Sequence, residues 1–224
     1  MNLKILYEDA DMIAVEKPQG MPAQPDKTGD LDMLTCLEKQ CQMPLGLVHR
    51  LDRPVGGVMV FAKRTSAQVE TQIAKAMQIG GWSKTYLAVV MGEPKQTKGT
   101  WTDYLFRDSR SNTSKVVDAK HKQAKKAILQ YEVLDTIQNS EETLSLLKIQ
   151  LQTGRHHQIR VQCAHHGVPI WGDRKYGKQL QPKGHIALWS YELKGQLPKK
   201  KLFCIHSIPQ ENPFLYFAEI LRKL

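Results

Sequence analysis

In the stretch Leu47 to Lys63, LVHRLDRPVGGVMVFAK, one carboxylate, Asp52, stands among His49, Arg50 and Arg53, and a turn follows at once. An acid held on a rigid bend beside a cleft, with arginines on either side, stays ionised at neutral pH. Such a group can act as a nucleophile or a general base without a metal. The plainer reading is a surface ion pair, which this local composition also allows. A second chemistry-bearing stretch runs from Gln152 to Gly177, QTGRHHQIRVQCAHHGVPIWGDRKYG. Its histidines, His156, His157, His165 and His166, invite a metal reading. Against that reading, no acid precedes Asp173 in the stretch, and the members of each adjacent pair are expected to point apart. Between the two stretches, Tyr86 stands near the start of an apolar run, where a buried tyrosine packs its ring and bonds its hydroxyl.

The elements that must position these residues follow from punctuation and periodicity. Pro54-Val55-Gly56-Gly57 breaks any regular element after the aspartate, and Val58 to Ala62 reads as a central strand, too apolar to alternate. Before it, Lys4 to Tyr7 and Met12 to Val15 form a hairpin. Lys17 then opens a bend with two prolines and a glycine, and either contacts phosphate or caps the strand. Leu31 to Cys41 is expected as a short helix with Asp30 as N-cap. Thr65-Ser66-Ala67-Gln68 has the form of a capping box for a helix carrying Val69, Ile73 and Met77 and stopped by Gly80-Gly81. Lys84 to Met91 is the strand that carries Tyr86.

Two short strands are expected to flank a loop from Arg107 to Ser114. There Arg107, Arg110 and Lys115 make either a phosphate-contacting arm or a solvated hairpin tip. Ala127 to Leu134 and Thr143 to Gln152 pair as strands through the turn Asn139-Ser140-Glu141, and the second shows one face richer in apolar side chains. Arg155 to His166 is expected as a helix closed by Gly167, with His156 and Arg160 on one face. Strands over His185 to Leu193 and Lys201 to Ser207 precede a terminal amphipathic helix bearing Phe214, Phe217, Ile220, Leu221 and Leu224. Strands outnumber helices in hairpin-like succession, which argues for an α+β domain on a mixed, largely antiparallel sheet flanked by helices. Nothing divides residues 1–224, so one continuous domain is expected.

Composition narrows the setting. The chain has 224 residues, and its 41% hydrophobic and 24% charged content is that of a globular protein, not a disordered or fibrous one. No segment resembles a membrane span or a signal peptide, which makes the cytoplasm the expected compartment. The cysteines, Cys36, Cys41, Cys163 and Cys204, contain no C-x-x-C pair and are expected as free thiols. A net charge of +10 points to a polyanionic partner, for which nucleic acid is the commonest choice.

Taken together, EDADMIAVEKPQGM, HRLDRPVGGVMVFAK, KTYLAVVMG and TGRHHQIRVQCAHHGVPIWGDRKYG resemble the RluA-type family of RNA pseudouridine synthases. Their order and spacing carry the resemblance, which runs over most of the chain. It implies a pseudouridine-synthase-like fold with a central cleft, no cofactor, and an isomerase acting on ribosomal or transfer RNA; a monomer is expected. By the same resemblance Asp52 is the catalytic carboxylate and Tyr86 stacks on the target base. Arg160, or in second place Arg155, is the arginine that pairs with the aspartate. Arg50 would fill the space left by the flipped uridine. Lys17, Arg107, Arg110, Lys115 and Arg155 are the expected RNA contacts, Ile186 and Leu188 the candidate lining of the base pocket. His49, Gln158 and Ile159 are assigned to the scaffold, and no residue to a metal.

The chain departs from the family pattern at three places. Val55-Gly56-Gly57 stands where Thr-Ser-Gly is usual, and Leu188-Trp189-Ser190 where Leu-His-Ala is common. No small RNA-binding domain is expected before Ile5, so substrate selection falls to the loops and basic surface. A non-catalytic RNA-binding or RNA-chaperone protein on the same fold is the alternative. A metal-dependent nuclease is disfavoured by the shortage of clustered acids.

Overall fold

The side chain of Asp9 starts the fold: its Oδ1 accepts the N–H groups of Asp11 and Met12, both at 2.9 Å. This local turn folds β1 (Ile5–Glu8) back on β2 (Met12–Lys17) as an antiparallel hairpin. The computed structural model describes residues 2–63, 67–78, 81–138, 142–177, 184–196 and 202–224. The chain has two compact units, Met1–Lys84 with Trp189–Pro209, and Thr85–Leu188 with Gln210–Leu224.

In the first unit the order is β1, β2, β4 (Gly56–Lys63), β10 (Leu188–Gln196), with β3 (Leu45–Leu47) also on β4 and β11 (Leu202–His206) on β10. β4 is the central strand that its unbroken apolar run requires: every residue from Gly56 to Ala62 is buried. It runs antiparallel to β2 and β3 and parallel to β10, where Trp189 faces Gly56 and Ser190 faces Gly57. Helix α1 (Met33–Cys41) starts later than expected, because Asp32, not Asp30, caps it by accepting from the N–H of Thr35 at 3.0 Å. Asp30 is instead bound to Arg53. Helix α2 (Ala67–Gln78) contributes Ile73 and Met77 to a core with Met12, Val58, Trp82 and Phe203. The expected capping box reaches into 64–66 and the glycine stop into 79–80, which lie outside the described residues, as do the turn 139–141 and Lys201.

The second unit orders its strands β5 (Trp82–Met91, whose first residues belong to the first unit), β9 (Thr143–Leu151), β8 (Lys125–Gln138), β6 (Lys98–Asp108), β7 (Thr113–Val116). The expected one-sided pattern of β9 is not what the fold uses. Leu144, Ser145, Leu146 and Leu147 are all buried, so both faces of that strand are covered. The β6–β7 hairpin is tighter than the expected loop from 107 to 114: Arg107 pairs with Ser114 and Phe106 with Lys115 inside the ladder. Only Arg110, of the three basic residues placed there, stands in the turn.

Helix α3 (Gln158–His165) is likewise shorter than expected, because His157 takes a left-handed φ of 53° and no helix can run through it. His156 is therefore off the helix and does not share a helical face with Arg160. The strand expected from His185 starts at Leu188. The terminal helix is a 3-10 turn, Phe214–Phe217, followed by one α turn, α4 (Ala218–Leu221), which still buries Phe214, Phe217 and Leu221. All four cysteines are free. Among the described residues no helix is long and apolar enough to cross a membrane.

Candidate active site

In the first unit the turn that presents Asp52 is fixed through its main chain. The carbonyl of Asp52 accepts the N–H of Val55 at 2.9 Å. The carbonyls of Arg53 and Val55 accept the ammonium of Lys17 at 3.0 and 2.8 Å, and that of Pro54 accepts Nε2 of Gln19 at 3.2 Å. Gly20 adds its N–H to the Arg53 carbonyl at 2.9 Å. Four consecutive carbonyls are thus all bonded, and two residues of the bend Lys17–Gln19 supply three of these bonds. Lys17 itself is 0% exposed and donates its third proton to Pro18 at 3.0 Å. It does not reach the surface, so its assignment as an RNA contact is corrected: it holds the turn. Burial pulls its pKa down from 10.5 to about 7, against the raising effect of the nearby Asp52 charge.

The Asp52 side chain is half-buried, and Arg50 is exposed. Arg53, which follows the acid, bonds three other groups. Its Nε donates to the Gly20 carbonyl at 2.8 Å, Nη1 to the Thr28 hydroxyl at 3.3 Å, and Nη2 to the Asp30 carboxylate. His49 accepts the N–H of Val60 on its Nε2 at 2.9 Å, a bond only the neutral ring makes. Burial, with a lesser push from Lys84, lowers its pKa to about 3. Burial likewise lowers that of Lys84.

The two departures from the family pattern meet at this turn. A Cβ on Gly56 would lie 2.3 Å from the Trp189 ring, and one on Gly57, at φ 107°, would lie 2.2 Å from the Ser190 carbonyl oxygen. Both glycines let β10 close on β4, and the first does so because a tryptophan fills that space. Trp189 is anchored by Nε1, which donates to the Ser207 carbonyl at 2.9 Å.

In the second unit Arg160 is held by an acid to which its sequence context assigns no role. Its Nε donates to Oδ2 of Asp173 at 2.8 Å and its Nη2 to Oδ1 at 2.7 Å, a bidentate pair in which Asp173 is 1% exposed. Oδ1 also accepts the N–H groups of Lys175 and Tyr176. The guanidinium carbon lies 5.1 Å from the Tyr176 ring centroid. The Tyr176 hydroxyl accepts the N–H of Ser114 at 2.8 Å and shares a hydrogen bond of 2.6 Å with Nδ1 of His157. Burial lowers the pKa of His157 to about 3, with Arg160 the next cause, so the ring is neutral at neutral pH.

The paired histidines do not point apart. The rings of His156 and His157 stack at 3.7 Å, and His165 and His166 meet edge to face at 5.3 Å. Tyr86 on β5 is buried, as are Ile186 and Leu188, each 3% exposed. Gln158 ties Thr153, the Arg155 N–H and the Ile128 carbonyl together, the scaffold part expected of it. Arg155 is exposed with its Nε on the Lys126 carbonyl, and Arg107, Arg110 and Lys115 are exposed too. Asp173 and Tyr176 are visible in the sequence only as letters in GDRKYG. Their roles depend on a fold-back that spacing does not reveal.

A model of the family described as RNA pseudouridylate synthase matches residues 11–165. The ribosomal large subunit pseudouridine synthase D of Haemophilus influenzae is 33% identical over 80% of this chain, and the same-named protein of Pasteurella multocida 32% over 92%. An uncharacterized RNA pseudouridine synthase of Bacillus subtilis is 34% identical over 78%. These alignments cover 54%, 61% and 58% of the relatives, so the chain spans little more than half their length. The solved structure of human RNA pseudouridylate synthase domain containing 1 superposes with a TM-score of 0.78 at 22% identity, covering 100% of this chain and 96% of that one. The α+β fold is therefore that of the pseudouridylate synthase domains, and the chain belongs to the RNA pseudouridylate synthase family.

Proposed function

We propose that this chain isomerises specific uridines of ribosomal or transfer RNA to pseudouridine. The N1 to C1′ bond breaks, the base turns, C5 bonds to C1′ and the C5 proton is lost while N1 gains one, so the atoms balance and no cofactor is needed. Asp52 is the carboxylate that works on the sugar or the base, as nucleophile or as general base. Tyr86 stacks on the uracil, and Ile186 with Leu188 forms the apolar wall beside it. Arg160 is the arginine that serves the carboxylate, and Arg50 takes the place of the extruded base. The enzyme acts as a cytoplasmic monomer.

The observation that carries this reading is the turn at Asp52, all four of whose carbonyls are bonded. A carboxylate serving only as a surface charge needs no such mounting, whereas a reacting group must be held within a fraction of an ångström. Asp52→Asn leaves that main-chain clamp untouched while removing the reactive oxygen. Mapping pseudouridines in cells carrying either form is expected to show one or more sites lost with the variant. An unchanged map removes Asp52 from catalysis and leaves RNA binding as the function of the fold.

A further inference from the structure

On the second unit a cavity of about 550 Å³ opens between the β6–β7 hairpin, the segment 122–125 and the entry to α3. Its volume lies within the ~300–1,000 Å³ range of sites for small ligands. Four cations line it, Arg107, Lys122, Lys125 and Arg155, all exposed, and no carboxylate does. These come from three separate segments, so the charge converges on one place instead of running along a single strand. Nε of Arg155 is fixed on the Lys126 carbonyl. The wall also contains two planar rings. Phe106 is half-buried against His121 at 4.8 Å, and His156 is held by Ser114 at 2.9 Å.

From this combination we infer that the groove binds one nucleotide of the RNA chain outside the reacting uridine, its phosphate on the four cations and its base against Phe106. A protein or peptide anion would gain from the charge but not from planar rings set beside it. Aromatic rings interleaved with a basic wall are what a single-stranded base and its phosphate require together. The floor leaves room for it: a Cβ on Gly154 would meet nothing within 4 Å. The groove adds affinity for the RNA and takes no part in the chemistry assigned to Asp52. The inference rests on the reading of the chain as an RNA-acting enzyme and adds to it the grip on a flanking nucleotide.

The test uses the full chain and a short fluorescein-labelled single-stranded RNA. Two variants probe charge and space separately: Lys122→Glu with Lys125→Glu, and Gly154→Leu, which puts neutral bulk in the groove. Lys95→Glu on a remote exposed position is the control. The charge variant is expected to weaken binding about tenfold and to flatten the dependence of log Kd on log salt by about 0.7 for each phosphate no longer neutralised. Gly154→Leu is expected to weaken binding severalfold with the salt slope unchanged, and in turnover with an RNA substrate the effect falls on KM. An equal weakening by Lys95→Glu overturns the inference. So does full binding by Gly154→Leu, which makes the groove a general anion patch, as a parallel drop in polyglutamate binding would confirm. Binding is measured without turnover, so failure of Asp52→Asn to change the pseudouridine map leaves this result standing.

Discussion

The turn at Asp52 and the segment around Arg160 are held in opposite ways. At the turn a single buried cation, Lys17, bonds only main-chain carbonyls, and its charge is left to act on a neighbouring acid. At Arg160 the buried cation is closed by a carboxylate in a bidentate pair, which two further N–H groups complete. The first arrangement fixes backbone and leaves the lysine near its titration point. The second fixes a side chain. The Asp52 turn is thus mounted on hydrogen bonds to its main chain, whereas the Arg160 guanidinium is mounted on an ion pair.

The largest effect in either region is expected from breaking the ion pair. Asp173→Ala removes the bidentate carboxylate from the buried Arg160, and breaking a buried pair in this way costs about 3–5 kcal/mol in urea unfolding. Asp173→Asn, which still accepts hydrogen bonds, costs less. A cost under about 1 kcal/mol for both would show that the pair does not prop the segment. Lys17→Met comes next. It strips the ammonium from three carbonyls, of which that of Arg53 keeps the Gly20 N–H, and a cost of roughly 2–3 kcal/mol follows.

The Asp52 turn also carries a pH response. The folded pKa of Lys17 lies near 7 and its ordinary value is 10.5, so between these the unfolded chain holds a proton the folded one has released. Stability conferred through this group therefore rises with pH across that window. The difference in unfolding free energy between wild type and Lys17→Met, measured in urea at a series of pH values, should rise with it. A flat difference for Lys17 would mean that its three carbonyls keep it charged.

What the sequence disclosed and what it concealed divide along the same line. The hairpin, the buried strand β4 and the strand carrying Tyr86 were legible because apolar runs and turn residues are local signals. The role of Lys17 was not, since a lysine beside two prolines looks the same whether it faces solvent or is the largest fully buried side chain. Nor was the Asp173 partnership, which needs a loop thirteen residues on to return to α3. The start of α3 was misplaced because nothing in HHQIR announces a left-handed backbone at His157, a conformation offset by its bond to Tyr176 and its stack on His156.

The smallest predicted effect concerns the two departures from the family pattern, which the structure makes into one. Serine at position 56 would drive its Cβ to 2.3 Å from the Trp189 ring and 2.9 Å from Cγ of Gln19, the residue that bonds the Pro54 carbonyl. Gly56→Ser alone should therefore cost about 1–3 kcal/mol by overpacking beside the Asp52 turn. Trp189→His alone should cost roughly 2 kcal/mol, by the space it opens and the weakened bond to Ser207. In the double variant the smaller ring vacates the volume that the serine needs, so the combined cost should fall short of the sum by about 1 kcal/mol. Additivity within about 0.3 kcal/mol would show the two positions to be independent. Coupling of the expected sign would mean that the indole on the neighbouring strand occupies the space that a hydroxyl-bearing residue next to the Asp52 turn would need. The turn would then be held by packing on that side, as it is by hydrogen bonds on the other.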